Sequence, residues 1–433
     1  MQATAIVLAA GLGTRMKSAL PKTLHRLAGR SMLRHLLASC EQVFDRVVVV
    51  LGPDMDAVRT EAAPHACVVQ HDRLGTAHAA LQAVEQFGDG KVAVLYADNP
   101  LIRPETMRRL LTGGAADGLS LLAFQAADPA RYGRVVTGGQ GMVERIVEYA
   151  DASEAERAIT LCNAGVMCAA AGDMARWLRA VRNDNAKGEY YLTDVIAIAR
   201  AAGRPVRAVE APEAELAGIN SRAELAKAEA VLQSWLRAAA MDAGVTMVDP
   251  ASVFLSADTE LASDVTIEPN VVFGPGVKVA SNVTIRAFSH IEGATIGAGS
   301  IIGPFARLRP GAVLENDVHV GNYVEIKASH LGAGVKANHL TYVGDATVGA
   351  RTNLGAGTIT CNYDGHHKHR TTIGADAFIG SDVSLVAPVT VGDGAYVATG
   401  SVITDDVEPD ALAIARQRQV QKPGRALMRK DKG

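Results

Sequence analysis

The 433-residue chain is poor in aromatics and in cysteine, and it lacks both a long apolar run and an excess of charge of one sign. Each shortage excludes something. Phe, Tyr and Trp make up 4% of the residues, so a core of this size must be built from small and aliphatic side chains, which points to a repetitive architecture. The five cysteines (Cys40, Cys67, Cys162, Cys168, Cys361) are odd in number and have no C-x-x-C spacing. That speaks against a disulfide framework or a thiolate zinc site and for a reducing cytosol. Wholly aliphatic stretches, such as Val47 to Leu51, fall far short of the ~20 residues a spanning helix needs. The first ten residues have no basic n-region and run straight into a strand-like segment, so no signal peptide is expected. With 43 basic and 46 acidic residues, net −3, no global field directs the chain to nucleic acid or membrane. The expectation is a cytoplasmic chain of two to three domains with no nucleic-acid and no membrane partner.

What is present falls into two periods. Up to about residue 220, strand-like and helix-like segments alternate. Thr4 to Ala9, Arg46 to Leu51 and Lys91 to Tyr96 read as buried strands; Ser31 to Cys40 and Ala77 to Phe87 read as helices. This predicts an α/β, Rossmann-like domain with a mostly parallel sheet, whose ligand sits beyond the C-terminal strand ends. The loops after Ala9 and after Tyr96 qualify. Residues 221–243 predict a linking helix: Ser221 and Glu224 have capping-box spacing, and Leu225, Leu232, Trp235, Leu236 and Ala239 follow at helical intervals.

Beyond Val245 the period becomes six. Aliphatic residues recur at Ile296, Ile302, Leu308, Leu314, Val320 and Ile326, and again at Ile373, Ile379, Leu385, Val391, Val397 and Ile403. The frame slips by one residue after Ile291, Ile326 and Val343. This is the hexapeptide repeat of a parallel β-helix over 244–433. Thr360 to Thr372 breaks the repeat and predicts a loop thrown out of the coil. The last thirteen residues, 421–433, carry five basic residues against one acidic.

The first loop reads Leu8-Ala9-Ala10-Gly11-Leu12-Gly13-Thr14-Arg15-Met16, then Pro21-Lys22. Glycines here let backbone N–H groups converge on phosphate oxygens, and Arg15 and Lys22 add positive charge. A dinucleotide fingerprint fails because Met16 occupies the third glycine position, and no Walker A spacing occurs. The ordinary alternative for such a loop is a tight strand-to-helix turn.

Together with Gln70, Leu74-Gly75-Thr76, Tyr96-Ala97-Asp98, Tyr132-Gly133, Glu148, Asn163, Glu189 to Asp194 and Gly218-Ile219-Asn220, this loop resembles the signature of sugar-phosphate nucleotidyltransferases. With the repeat, the chain resembles the bacterial bifunctional N-acetylglucosamine-1-phosphate uridyltransferases/glucosamine-1-phosphate acetyltransferases. The resemblance implies a uridyltransferase domain over 1–220, a left-handed β-helix acetyltransferase domain, and a homotrimer formed through that helix. It implies that Leu8, Ala9, Ala10, Gly11, Lys22, Gln70, Gly75, Thr76, Tyr96, Asp98, Gly133, Glu148, Asn163 and Asn220 bind UTP and the UDP-sugar. Gln70 would meet the uracil edge, Glu148 and Asn163 the sugar, and Arg15 and Lys22 the phosphate charge. Mg²⁺ would be held by Asp98 and Asn220. Leu12 and Ala97 depart from residues common in that family.

In the repeats, the resemblance makes His339 the general base of acetyl transfer, a task that suits an imidazole with an ordinary pKa of about 6.5. Arg309, Lys327, Tyr342 and Asn353 would bind glucosamine-1-phosphate. Ala356, Asn362, Tyr363, Ser381, Thr399 and Arg416 would bind acetyl-CoA, Asn362 and Tyr363 also bordering the acceptor; Thr399 stands where alanine is common. Arg309 and Lys327 lie 18 residues apart, one coil, and should share a face. His339, Tyr342 and Asn353 are expected on the same stack, forming a basic pocket. Cys361 as an acyl carrier and His366, His367 and His369 as metal ligands are the weaker alternatives to a buried thiol and a solvated loop. The expected activity is acetylation of glucosamine-1-phosphate, then uridylyl transfer, in cell-envelope precursor synthesis. Two other functions fit less of the sequence: a nucleotidyltransferase whose β-helix only trimerises it, and a non-catalytic sugar-nucleotide sensor.

Overall fold

The computed structural model describes residues 2–113, 117–129, 132–185 and 187–425. The chain divides into two compact units between Leu232 and Gln233.

Among the described residues, the first unit holds a nine-stranded sheet. Its central order is Val206–Glu210, Leu119–Gln125, Leu161–Ala170, Lys91–Tyr96, Ala3–Leu8, Arg46–Leu51, Ala66–Val69. Ala3–Leu8 pairs in parallel with both of its neighbours, and all six of its residues are buried. A strand buried on both faces reads as an unbroken apolar run, which is why these segments lack alternation. Leu161–Ala170 is the exception to the parallel rule, running antiparallel to both neighbours. Ser31 caps the helix Met32–Cys40 by accepting from the Arg34 N–H, and Leu33, Leu36, Leu37 and Cys40 are fully buried.

The helix expected from Ala77 to Phe87 is shorter than read. It is α-helical over Thr76–Leu81; Ala83 (φ −96°, ψ 8°) leaves the helical region, and a 3₁₀ turn follows at Val84–Gln86. The break turns Phe87 inward, where its carbonyl accepts from the Thr4 hydroxyl at 3.0 Å.

The long helix is Arg222–Asp242. Its capping box is displaced by one residue: Ser221 Oγ accepts from the Glu224 N–H, but the Glu224 carboxylate accepts from the Asn220 N–H. The expected face also differs. Ala239 is exposed, whereas Gln233 is buried because its carboxamide pairs with both the N–H and the carbonyl of Leu255.

The second unit is a solenoid of three parallel sheets. One aliphatic residue per strand points inward, and these side chains form one continuous core from Val245 to Val407. Regular coils step by 18 residues, as in Thr266 to Thr284 and Phe378 to Tyr396. Others step by 17, as in Lys278 to Thr295 and Val313 to His330. The three frame slips fall on one corner. There the sheet carrying Ile291, Ile326 and Val343 passes to the sheet carrying Ile296, Leu331 and Val348. The insertion lies on the same corner and lengthens the step from Ala346 to Thr371 to 25 residues. It is narrower than expected: Ile359–Cys361 and Thr371–Ile373 stay in their strands, and only the intervening residues project. No helix among the described residues is long and apolar enough to cross a membrane.

Candidate active sites

At the C-terminal ends of the central strands lies a cavity of about 170 Å³. Leu8, Ala9, Ala10, Gly11, Lys22, Gln70, Gly75, Thr76, Tyr96 and Asp98 line it, joined by Thr23, Arg73 and Ala79. The loop that follows Ala3–Leu8 is held from two sides. Gly13 has φ 62°, and a Cβ there would press on the Lys22 side chain, so the close approach of the two segments requires glycine. Arg73 Nε donates to the Ala10 carbonyl at 2.9 Å. A Cβ on Gly11 would meet nothing within 4 Å, so that side of the loop is open.

Lys22 is the centre of the charged group. Its ammonium is paired with Asp98 and donates to Asn220 Oδ1 at 3.1 Å, and Arg15 Nη2 donates to the same oxygen at 2.8 Å. Arg15 and Asn220 also line a second, larger cavity of about 650 Å³ in the same unit. Leu12 is exposed at the loop tip. The Leu74-Gly75-Thr76 segment is clamped by the Glu189 to Asp194 segment. Tyr190 N–H donates to the Leu74 carbonyl, Ala77 N–H to the Tyr190 carbonyl, and Leu192 N–H to Thr76 Oγ1. Gly75 (φ 118°) has no room for a Cβ against the Tyr190 backbone.

Gly133, Glu148 and Asn163 line neither cavity but form a chain that ends on one wall. Glu148 Oε1 lies against Gly133, Asn163 N–H donates to the Gly133 carbonyl, and Asn163 Oδ1 accepts from Gly165, over which Tyr96 packs. Burial, reinforced by Asp151, raises the Glu148 carboxyl above its ordinary range. Burial pushes the Tyr96 phenol up to about 12.

In the solenoid the expected single stack is two groups on different corners. Spacings that are not multiples of a coil carry a residue to another face. Lys327 to His339 is 12 residues and His339 to Asn353 is 14. The first group is a column. Asn322 pairs in register with His339, and the ladder continues through Ala356, Ser381 and Thr399. Successive backbone bonds carry it: Leu340 N–H to the Asn322 carbonyl, Gly357 to His339, Asp382 to Ala356, and Gly400 to Ser381. Each donor in this series has positive φ, which turns the chain at that corner. Arg416 Nη1 donates to the Thr399 carbonyl at 2.8 Å and extends the column. His339 is exposed, and its Nδ1 lies 3.0 Å from Asn322 Oδ1.

The second group sits across the adjoining sheet, on the irregular corner. Arg309 pairs with Glu325 at 2.8 Å and Lys327 with Asp345 at 2.9 Å. The expected basic pocket is therefore charge-compensated. Burial would raise the Asp345 carboxyl, but hydrogen bonds from Lys327 and Asn362 outweigh it and hold it below the ordinary range. Lys368, from the projecting loop, has its pKa lowered by the neighbouring Lys327 ammonium. Tyr342 lies between the groups, its hydroxyl 3.4 Å from Asn362 Nδ2. Two expected residues stay apart. Asn353 belongs to the strand three residues before Ala356, on the sheet of Lys336 and Phe378. Tyr363 turns its hydroxyl to the Gly365 carbonyl. The Cys361 thiol lies 4.0 Å from the Ile359 carbonyl. The loop histidines are tied to Asp364, and no metal-sized cluster of His, Cys, Asp or Glu occurs among the described residues. Residues 426–433 of the basic tail lie outside the described residues.

Residues 5–160 match the MobA-like NTP transferase domain family. Residues 258–293, 293–328 and 370–405 match the bacterial transferase hexapeptide family of six repeats. The chain is 64% identical to the bifunctional protein GlmU of Acidiphilium cryptum over the whole of both chains. It is 64% identical to that of Gluconacetobacter diazotrophicus, covering 98% of this chain and 93% of the relative. It is 61% identical to that of Granulibacter bethesdensis, covering 98% and 95%.

Proposed function

This chain belongs to the bifunctional GlmU family, and from that premise we propose that it acetylates glucosamine-1-phosphate with acetyl-CoA and then couples the product to UTP, yielding UDP-N-acetylglucosamine and pyrophosphate. The observation that carries this reading is that one chain holds two separate groups of cations resting on carboxylates, the first beside a cavity and the second on the hexapeptide solenoid. Residues 1–220 are read as the uridyltransferase domain, 221–243 as the linker and 244–433 as the acetyltransferase domain.

In the first site the sugar phosphate oxygen attacks the α-phosphorus of UTP and pyrophosphate leaves. Positioning and charge neutralisation dominate such a transfer. Lys22 and Arg15 neutralise the triphosphate, and Glu148 and Asn163 hold the sugar. Gln70 gives both amide hydrogens to Gly75 and His78, which directs its carbonyl to a base donor such as uracil N3–H. The donor set fits magnesium: Asp98 and Asn220 offer hard oxygens that already draw in two cationic side chains, and magnesium favours few protein ligands shared with phosphates. When bound, magnesium supplies further screening of phosphate charge.

In the second site the amine of glucosamine-1-phosphate attacks the thioester carbonyl, the C–S bond breaks, and the acetyl group passes directly to nitrogen. His339 Nδ1–H donates to Asn322, which leaves the lone pair on Nε2 to take the ammonium proton. Arg309 and Lys327 receive the sugar phosphate, and the column from Ala356 to Arg416 lies along the acetyl-CoA. Asn353 lies three residues before Ala356, on the sheet of Lys336 and Phe378. The hexapeptide repeats support oligomerisation, and we read the oligomer as a homotrimer formed through the solenoid. The reducing cytosol is the compartment this reading assigns.

The test is free-thiol release from acetyl-CoA, with and without glucosamine-1-phosphate, beside pyrophosphate release from UTP and N-acetylglucosamine-1-phosphate. Amine-dependent thiol release is expected. None from an intact oligomer reduces the solenoid to a scaffold and leaves the nucleotidyl transfer standing alone.

A further inference from the structure

Behind the small cavity a polar chain runs away from the base-reading residue. Gln70 follows the strand Ala66–Val69 and is 3% exposed. Its Nε2 lies 3.0 Å from the Gly75 carbonyl and 3.1 Å from His78 Nδ1, so both amide hydrogens are committed. Across the imidazole, the Gln82 amide nitrogen lies 3.2 Å from His78 Nε2 and 3.2 Å from the His78 carbonyl. A neutral imidazole has one accepting nitrogen. Two amides therefore compete for one lone pair.

The competitors are unequal. Turning the buried Gln70 amide over would set Oε1 against the Gly75 carbonyl oxygen, two acceptors in contact with no solvent between them. Gln82 is half-buried, and the His78 carbonyl it addresses already takes the Gln82 backbone N–H. Its amide turns over more easily and offers Oε1 to an Nε2–H. The His78 proton then rests on Nε2, and Nδ1 keeps the Gln70 NH₂ turned inward. The Tyr190 ring, 6.1 Å from the imidazole and tilted by 33°, stands alongside.

We infer that His78 is a positioning residue for base selection: by holding the Gln70 NH₂ inward it presents the Gln70 carbonyl to the cavity and so favours uracil over cytosine. A carbonyl accepts from the N3–H of uracil and opposes the N3 lone pair of cytosine, whereas an amide free to turn accommodates either. This rests on the reading of Gln70 as the group that meets the base.

The experiment measures kcat/KM for UTP and for CTP, with N-acetylglucosamine-1-phosphate and pyrophosphate release as readout, on the full chain. His78→Leu should lower the UTP/CTP ratio about tenfold, roughly the worth of one hydrogen bond. His78→Asn, whose Oδ1 replaces the Nδ1 acceptor, should restore the ratio to within about threefold. Gln70→Ala should lower the ratio by itself, and adding His78→Leu should lower it no further. An unchanged ratio in folded His78→Leu, with a lowered one in Gln70→Ala, overturns the inference and leaves the base-reading role intact. An unchanged ratio in Gln70→Ala overturns that role and the inference with it. If His78→Leu does not fold, His78→Gln decides: its amide reaches the Nε2 position, so the ratio should fall, and a retained ratio overturns the inference.

Discussion

In the α/β unit, Lys22 and Asn220 meet although 198 residues separate them. In the solenoid, Lys327 and Asp345 meet because they are one 18-residue step apart. The chemistry assembled is alike: a cation held on a carboxylate, with a neutral amide (Asn220, Asn362) completing the group. Opposite backbones reach it. The first needs strands from distant parts of the chain to end at one edge of a sheet. The second needs a count of residues. Charge-compensated sites of this kind keep their cations ordered before a phosphate arrives, and neither architecture has a monopoly on building them.

This contrast predicts independence. His339→Ala should lower amine-dependent acetyl transfer by ~10²–10⁴-fold and leave pyrophosphate release from UTP unchanged; an equal loss of both would break the comparison. Gly75→Ala is the counterpart. It combines φ 118° with a collision against the Tyr190 backbone, a strain of about 1–3 kcal/mol. Nucleotidyl transfer should fall by roughly tenfold or more while thiol release stays at the wild-type rate. The smallest effect concerns Glu148. Its carboxyl is raised by burial and Asp151, and its ionised form is the one that accepts sugar hydroxyls. Nucleotidyl transfer should therefore be present above that raised pKa and lost as pH falls through it. The acid limb should begin above the ordinary glutamate value of about 4.3. In Glu148→Gln that limb should disappear from the pH profile of kcat/KM for the sugar phosphate.

The same contrast explains what was legible in the sequence. The solenoid's core could be read residue by residue, because Ile302, Leu308, Leu314 and their successors recur at a fixed interval and each is buried. The pairing of Arg309 with Lys327 across one coil followed from the same count. The count misled where it was not a multiple of the coil, so His339 and Asn353 went to another sheet. The partners Asn322 and Asp345 were encoded in it, at 17 and 18 residues from His339 and Lys327, the step of 17 being the one that crosses the frame slip after Ile326. In the α/β unit the first loop and Asp98 were legible because they follow apolar strands. The walls Thr23, Arg73 and Ala79 were not: three separate segments supply them, and only the tertiary fold brings these together. Gln233 shows a third kind of limit. A polar residue on an apolar helix face looks misplaced until the backbone it satisfies is known.

The uneven corner of the solenoid has a consequence for how such a molecule can change. From Thr266 onward every departure from the regular coil, four shortened turns and one projecting loop, is spent at a single edge, and only the first coil, Thr246 to Thr266, lengthens elsewhere, by two residues before Phe254. Chain length can therefore be added or removed there without shifting any other strand out of register. That edge is where the protein can be revised, and it is the edge that carries Arg309, Lys327 and Asp345.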